Sequence, residues 1–157
     1  MSQRPLDIVK RLFELVEQPP NTRKASVLEV YHPQIVIHEA PSLPYGGDYY
    51  GHEGARRHGA GFNRTWDAFQ IAPEARGLDP IFLETTEDHV VVLFRHKAVA
   101  PHGGRKINLP EVGVYKVQDG KVIESWMFHQ DTIAILGFLK EAQQQDTMNV
   151  TPIDGSM

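Results

Sequence analysis

Several ionisable side chains stand at strand positions whose alternating neighbours are apolar. In the run from Lys121 to Asp131, His129 and Asp131 fall in step with Ile123, Ser125 and Met127, on a face that reads as interior. His96 shares a row with Val90, Val92, Phe94 and Ala98. Glu111 shares one with Ile107, Leu109, Gly113, Tyr115 and Val117, and Glu39 ends the row begun by Ile35 and Ile37. Strand side chains alternate between two faces, and an ionisable group on the apolar side is costly unless it is paired, neutralised or used. A carboxyl shut into an apolar cavity loses hydration when ionised, so its pKa rises toward neutrality and it can exchange a proton beside a carbonyl. Imidazoles, with an ordinary pKa of about 6.5, suit proton shuttling or hydrogen bonding to a developing oxyanion. Glu39, His96, His129 and Asp131 are therefore the candidate catalytic residues, with Glu39 or Asp131 as the base.

Each has a structural alternative. Glu39 and Glu111 can pair with an arginine such as Arg56 or Arg105, Asp131 can cap a helix at Thr132, and each histidine can be satisfied by a backbone carbonyl. The candidate substrate-binding residues are Phe62, Trp66, Phe94, Glu111, Tyr115 and Met127; Phe62, Trp66, Phe69 and Tyr115 make an aromatic wall suited to a flat hydrophobic molecule, and core packing explains these rings equally well. His52-Glu53 with His58 lacks the spacing of a zinc protease helix. A metal centre built from His96, His129 and Glu111 is an alternative, but the expectation is no metal and no cofactor. Gly103-Gly104-Arg105-Lys106 has no following helix and no phosphate-loop spacing, and reads as a hairpin turn.

The elements that must carry these residues are legible from periodicity. Leu6, Val9, Phe13 and Val16 predict a helix that Pro5 can open and that Pro19-Pro20 ends. A shorter helix is predicted from Thr22 to Tyr31, a strand from Ile35 to Glu39, a loop from Pro41 to Gly51, and a third helix from His52 to Phe69. Strands follow at Ile81 to Thr86, His89 to Ala98, Arg105 to Val117 and Lys121 to Gln130. Short connections join them, and Asp119-Gly120 is a favoured two-residue hairpin signal. A last short helix runs from Asp131 to Leu139, and Gln143 to Met157 reads as a polar tail after a single domain of residues 1–142. Helices first and an antiparallel meander afterwards predict an α+β domain.

Composition narrows the partners. The chain of 157 residues carries a formal charge of −4 with the signs interspersed and has no cysteine. That pattern argues against nucleic acid and membrane surfaces and removes disulfides and thiolate chemistry. No signal-peptide core opens the chain and no run reaches the roughly 18 apolar residues of a membrane span, so a cytoplasmic location is expected. The expected partners are a small hydrophobic molecule and a second copy of the chain. Trp126 and Phe128 make the alternate face of the last strand apolar, which calls for a cover such as a homodimer partner.

The order of elements, the segment Tyr31 to Glu39, the Pro44-Tyr45-Gly46-Gly47 loop to Gly51, and Asp119-Gly120-Lys121-Val122-Ile123-Glu124-Ser125-Trp126 on to Asp131 resemble the SnoaL-like branch of the nuclear transport factor 2-like superfamily. The resemblance covers roughly Leu6 to Leu139. It implies a cone with three N-terminal helices packed in the concavity of a curved antiparallel sheet, a deep pocket and a common dimer. It also implies acid/base chemistry: the strand-end carboxylate that serves as base in the steroid isomerases falls on Glu39, and the cyclase acid/base aspartate on Asp131. The isomerase tyrosine of the first helix is replaced by Leu12 and its oxyanion-binding acid by Gly113, which argues against steroid isomerisation. The function expected is cofactor-independent proton transfer on a hydrophobic carbonyl compound, of cyclase, isomerase or dehydratase type. The alternative is a non-catalytic binding or homodimeric module, since this fold hosts both.

Overall fold

The computed structural model describes residues 3–149. Pro5 opens α1 (Pro5–Glu17), where its missing N–H leaves no helical bond unmade, and the helix stops as Gln18 turns extended ahead of Pro19. Its buried stripe is Ile8, Val9, Leu12, Phe13 and Leu15, while Val16 faces solvent. The helix predicted from Thr22 to Tyr31 does not form; the chain makes single 3-10 turns at Pro20–Thr22 and Val27–Glu29 instead. Too few residues separate Pro20 from the strand that starts at Tyr31, and the β-branched Val27 and Val30 do not favour a longer helix.

Strand β1 (Tyr31–Glu39) is followed by β2 (Gly47–Tyr50), which lies inside the segment predicted as a loop and pairs antiparallel with β1. Helix α2 (Gly51–Trp66) comes next and ends in a 3-10 turn at Asp67–Phe69. Gly54 is needed on this helix because a Cβ there would stand 2.9 Å from the Tyr49 backbone. The meander is β3 (Ile81–Thr86), β4 (His89–Val99), β5 (Lys106–Gln118) and β6 (Lys121–His129), and the chain then enters α3 (Thr132–Asn149). At the β5–β6 turn Asp119 and Gly120 take φ of 54° and 71°, the left-handed pair that a two-residue hairpin requires.

Among the described residues these strands form one open, six-stranded sheet in the order β2-β1-β6-β5-β4-β3. The meander is antiparallel, whereas β1 lies parallel to β6. A register shift between Lys116 and Val117 changes the parity of β6, so Val122 rather than Ile123 is buried while Ser125 keeps its inward place. Phe13 fastens α1 to the sheet through edge-on contacts with Phe82, Phe94 and Tyr115, with ring centroids 5.4, 5.2 and 5.7 Å away. Trp66 of α2 stacks on Phe138 of α3 and forms the centre of a second cluster with Tyr45 and Ile135.

Two expectations change here. Only two of the α-helices precede the meander; the third is C-terminal and packs its Ile135 and Phe138 into the core. Helix α3 also continues to Asn149, past the start of the predicted tail, and residues 150–157 lie outside the described residues. Among the described residues no helix is long and apolar enough to cross a membrane.

Candidate functional site

The inner faces of β1, β4, β5 and β6 converge on one group of side chains. Glu39 comes from the end of β1, His96 from β4, Glu111 from β5 and His129 from the end of β6. Register explains the meeting, because Glu111 pairs directly with His129 across β5 and β6. His129 Nδ1 donates to Glu111 Oε1 at 2.7 Å, and His129 Nε2 donates to Glu39 Oε1 at 2.8 Å. His58, on the inward face of α2, donates from Nε2 to Glu39 Oε2 at 3.0 Å, and the Ala40 N–H reaches Glu39 Oε1 at 3.2 Å. The result is an imidazole held between two carboxylates, all three side chains buried.

The charges follow from this geometry. Burial alone would raise the Glu39 carboxyl, but the hydrogen bonds from His129 and His58, and their charges, outweigh it and hold the group at about 2. Burial likewise opposes a charge on His129, yet its bonds to Glu111 and Glu39 lift it to about 9. Glu39 is thus pushed away from neutrality, opposite to the sequence expectation, because its partners bind the ionised form. At neutral pH the resting proton sits on His129. His96 goes the other way: burial outweighs the pull of Glu111 and keeps its imidazole below the ordinary value, hence neutral. Burial also raises the Tyr45 phenol, and raises Tyr115 well above the ordinary value, so both remain O–H donors.

Above this group lies a cavity of about 230 Å³, lined by Leu12, Phe13, Ile37, Phe62, Phe94 and Met127 among others, with Glu39, Tyr45, His58, His96, Glu111, Tyr115 and His129 among its polar groups. Glu17, Arg23, Phe62, Asn63, Gln70 and Arg76 line both this cavity and a neighbouring one of about 360 Å³. An apolar chamber with a few convergent polar groups is the usual form of a small-molecule site.

Two sequence-predicted residues fall elsewhere. Asp131 is exposed and absent from the cavity lining; its Oδ1 accepts the Ala134 N–H at 2.9 Å as the N-cap of α3. Beyond His129 the chain leaves the sheet, so the alternation that aligned the two residues no longer applies. Asp131→Ala is expected to cost about 1 kcal/mol in urea denaturation, the worth of a cap, with the His129 titration unmoved. Trp66 is fully buried behind the wall, donating from Nε1 to the Tyr45 hydroxyl at 2.8 Å. The arginines considered for Glu39 point away as well, Arg56 pairing with Glu53 and Arg105 with Glu141.

His58 and Tyr45 are functional candidates that sequence reasoning missed. The spacing of His58, Phe62 and Trp66 on one face of α2 is the signal that places His58 inward. Tyr45 sits in an irregular segment with no periodicity to read. Gly113 also has a clear role: a Cβ there would come within 2.6 Å of the Tyr115 ring and hydroxyl, so the absent side chain makes room for the phenol. Both His129 nitrogens are engaged, which leaves neither for an ion in the alternative metal centre, and among the described residues no His, Asp and Glu group has a metal-holding arrangement.

An α+β domain with helices over one face of an open curved sheet and a pocket beneath them is similar in fold to solved cystatin-like and nuclear transport factor 2-like structures. The chain belongs to the SnoaL-like domain family, whose model matches residues 9–125. No curated protein matches it in sequence. Among solved structures it is similar to TerC co-crystallised with polyporic acid, at 18% identity and a TM-score of 0.69 over 87% of this chain and 98% of that one. A nuclear transport factor 2-like protein from Burkholderia pseudomallei gives 20% identity and a TM-score of 0.68 over 87% and 98%. A protein named as a SnoaL-like polyketide cyclase from Mesorhizobium loti gives 22% and 0.56 over 78% and 96%. At such identities the likeness shows the fold alone.

Proposed function

We propose that this protein is a cofactor-independent enzyme of cyclase, isomerase or dehydratase type that moves protons on a hydrophobic carbonyl compound. The observation that carries this reading is the buried Glu39–His129–Glu111 chain at the floor of an apolar cavity. Glu39 takes a proton from carbon, and the electron pair of that C–H bond moves onto the carbonyl oxygen. Negative charge passes from Glu39 to the substrate within the field of the His129 imidazolium, so the net charge of the chamber does not change. Tyr45 and Tyr115, neutral phenols on the lining, supply the oxyanion donors that Leu12 and Gly113 cannot, Tyr115 by turning its hydroxyl from Met127 Sδ. A base held as low as Glu39 serves only acidic carbon, such as one flanked by a carbonyl and a second carbonyl or an aromatic ring. TerC, the similar structure co-crystallised with polyporic acid, supports a small organic molecule as the occupant. The test is deuterium exchange at C1 of 2-tetralone, followed by NMR. Acceleration by the protein over buffer is expected, and none would overturn the reading.

The assembly proposed is a homodimer through the outer face of the sheet. There Ile81, Leu93, Val112 and Phe128 align across four strands, as do Leu83, Val91, Val114 and Trp126. Ile81 is 61% exposed and Phe128 54%, large apolar surface left open in one chain. Sedimentation at micromolar concentration is expected to give a dimer, and Phe128→Arg a monomer with the same fold by circular dichroism. A monomeric wild type would remove the proposal.

A further inference from the structure

His96 has one nitrogen that no protein group satisfies. Its side chain is buried, lines the cavity and is wedged edge-on against Trp66, with ring centroids 4.2 Å apart. Nδ1 faces Glu111 Oε1 at 3.8 Å, while Nε2 is buried without a hydrogen-bond partner. Buried polar atoms are almost always paired, so an unpaired one on a cavity wall marks the place of a ligand atom.

The kind of atom follows from the tautomer. In a neutral imidazole one nitrogen carries the proton and the other accepts. The carboxylate nearest the ring lies on the Nδ1 side and already holds the His129 Nδ1–H, so its negative charge favours the His96 proton at Nδ1. Nε2 then keeps an unpaired lone pair on a ring that lines the cavity. A carbonyl oxygen also presents a lone pair and would repel it; a hydroxyl would donate to it.

From this geometry we infer that His96 Nε2 is the acceptor for a hydroxyl of the ligand, so the cavity selects a hydroxyl-bearing carbonyl compound, phenolic or enolic, over its ether or its deoxy analogue. The inference rests on the cavity being the reactive site, and it gives His96 a specificity role in place of carbonyl polarisation. The remainder of the ligand is held by Phe62, Phe94 and Met127, which cannot themselves tell a hydroxyl from a methoxyl.

The discriminating probes are 2-naphthol and 2-methoxynaphthalene, titrated calorimetrically against the whole protein. The wild type is expected to bind the naphthol about tenfold or more tightly, since the ether leaves a buried acceptor unmet. His96→Phe is expected to bring the two within about twofold, and His96→Gln, which can still offer an oxygen, to restore part of the gap. Should His96→Phe fail to fold, the nitrogen-15 spectrum of the wild type decides: a proton on Nδ1 and an Nε2 resonance that shifts with naphthol support the contact. Equal affinities in the wild type, a preference that survives in His96→Phe, or a proton on Nε2 would overturn it. Tetralone exchange without a naphthol preference removes this inference and spares the proposed reaction. A preference without exchange removes the reaction and leaves the contact.

Discussion

Glu39→Gln is expected to lower protein-catalysed exchange at C1 of 2-tetralone by about 10²- to 10⁴-fold, the usual worth of a positioned proton acceptor. Glutamine keeps the size of the side chain and one acceptor oxygen for the His129 N–H, so the cavity should remain. What it loses is the carboxylate proposed as proton acceptor and the charge that balances His129. The melting temperature should fall, because the ion pair with His129 is lost, and an unchanged circular dichroism spectrum at the assay temperature with exchange gone assigns the loss to chemistry. Exchange retained within about twofold would show that Glu39 is not the acceptor.

The second large effect is on stability. Glu39 is held at about 2 against an ordinary 4.5, so its contribution is fully present above pH 4.5 and is lost as pH falls through 2. His129 is raised to about 9 from 6.5, so its contribution is fully present below pH 6.5 and is lost as pH rises through 9. His96, depressed by burial, adds to the loss on the acid side because the unfolded chain binds its proton more readily. Urea denaturation across the pH range is therefore expected to give a plateau with both limbs falling. In His129→Leu the alkaline limb should flatten, and stability near neutrality should drop by about 3–5 kcal/mol, because two buried carboxylates lose the cation between them. Burial then raises the Glu39 carboxyl, so this variant should gain stability on mild acidification where the wild type does not. A variant with the wild-type pH profile would refute the imidazolium bridge.

Much of the site was legible because alternation is local. The rows that end or pass through Glu39, His96 and Glu111 need only a period of two, and the structure buries all three residues. The same rule misplaced Asp131, since alternation says nothing of where a strand stops, and misplaced Ile123, since a bulge leaves no mark in composition. Strand β2 is hidden for a related reason: four residues among glycines and a proline carry no period. The direction of the Glu39 shift was out of reach of any local rule, because the groups that set it stand 19 and 90 positions away along the chain. His58 was within reach of helical spacing but belongs to a face otherwise read as packing.

The parallel pairing of β1 with β6 has a consequence for how this protein comes into being. Every partner of Glu39 except His58 and the adjacent amide arrives from the far side of the meander, across the β1–β6 seam. A nascent chain that has made β1 and α2 holds Glu39 beside His58 but lacks the His129–Glu111 pair. The hydrogen-bonded group is thus complete only when the last strand docks, which ties assembly of the candidate site to completion of the sheet.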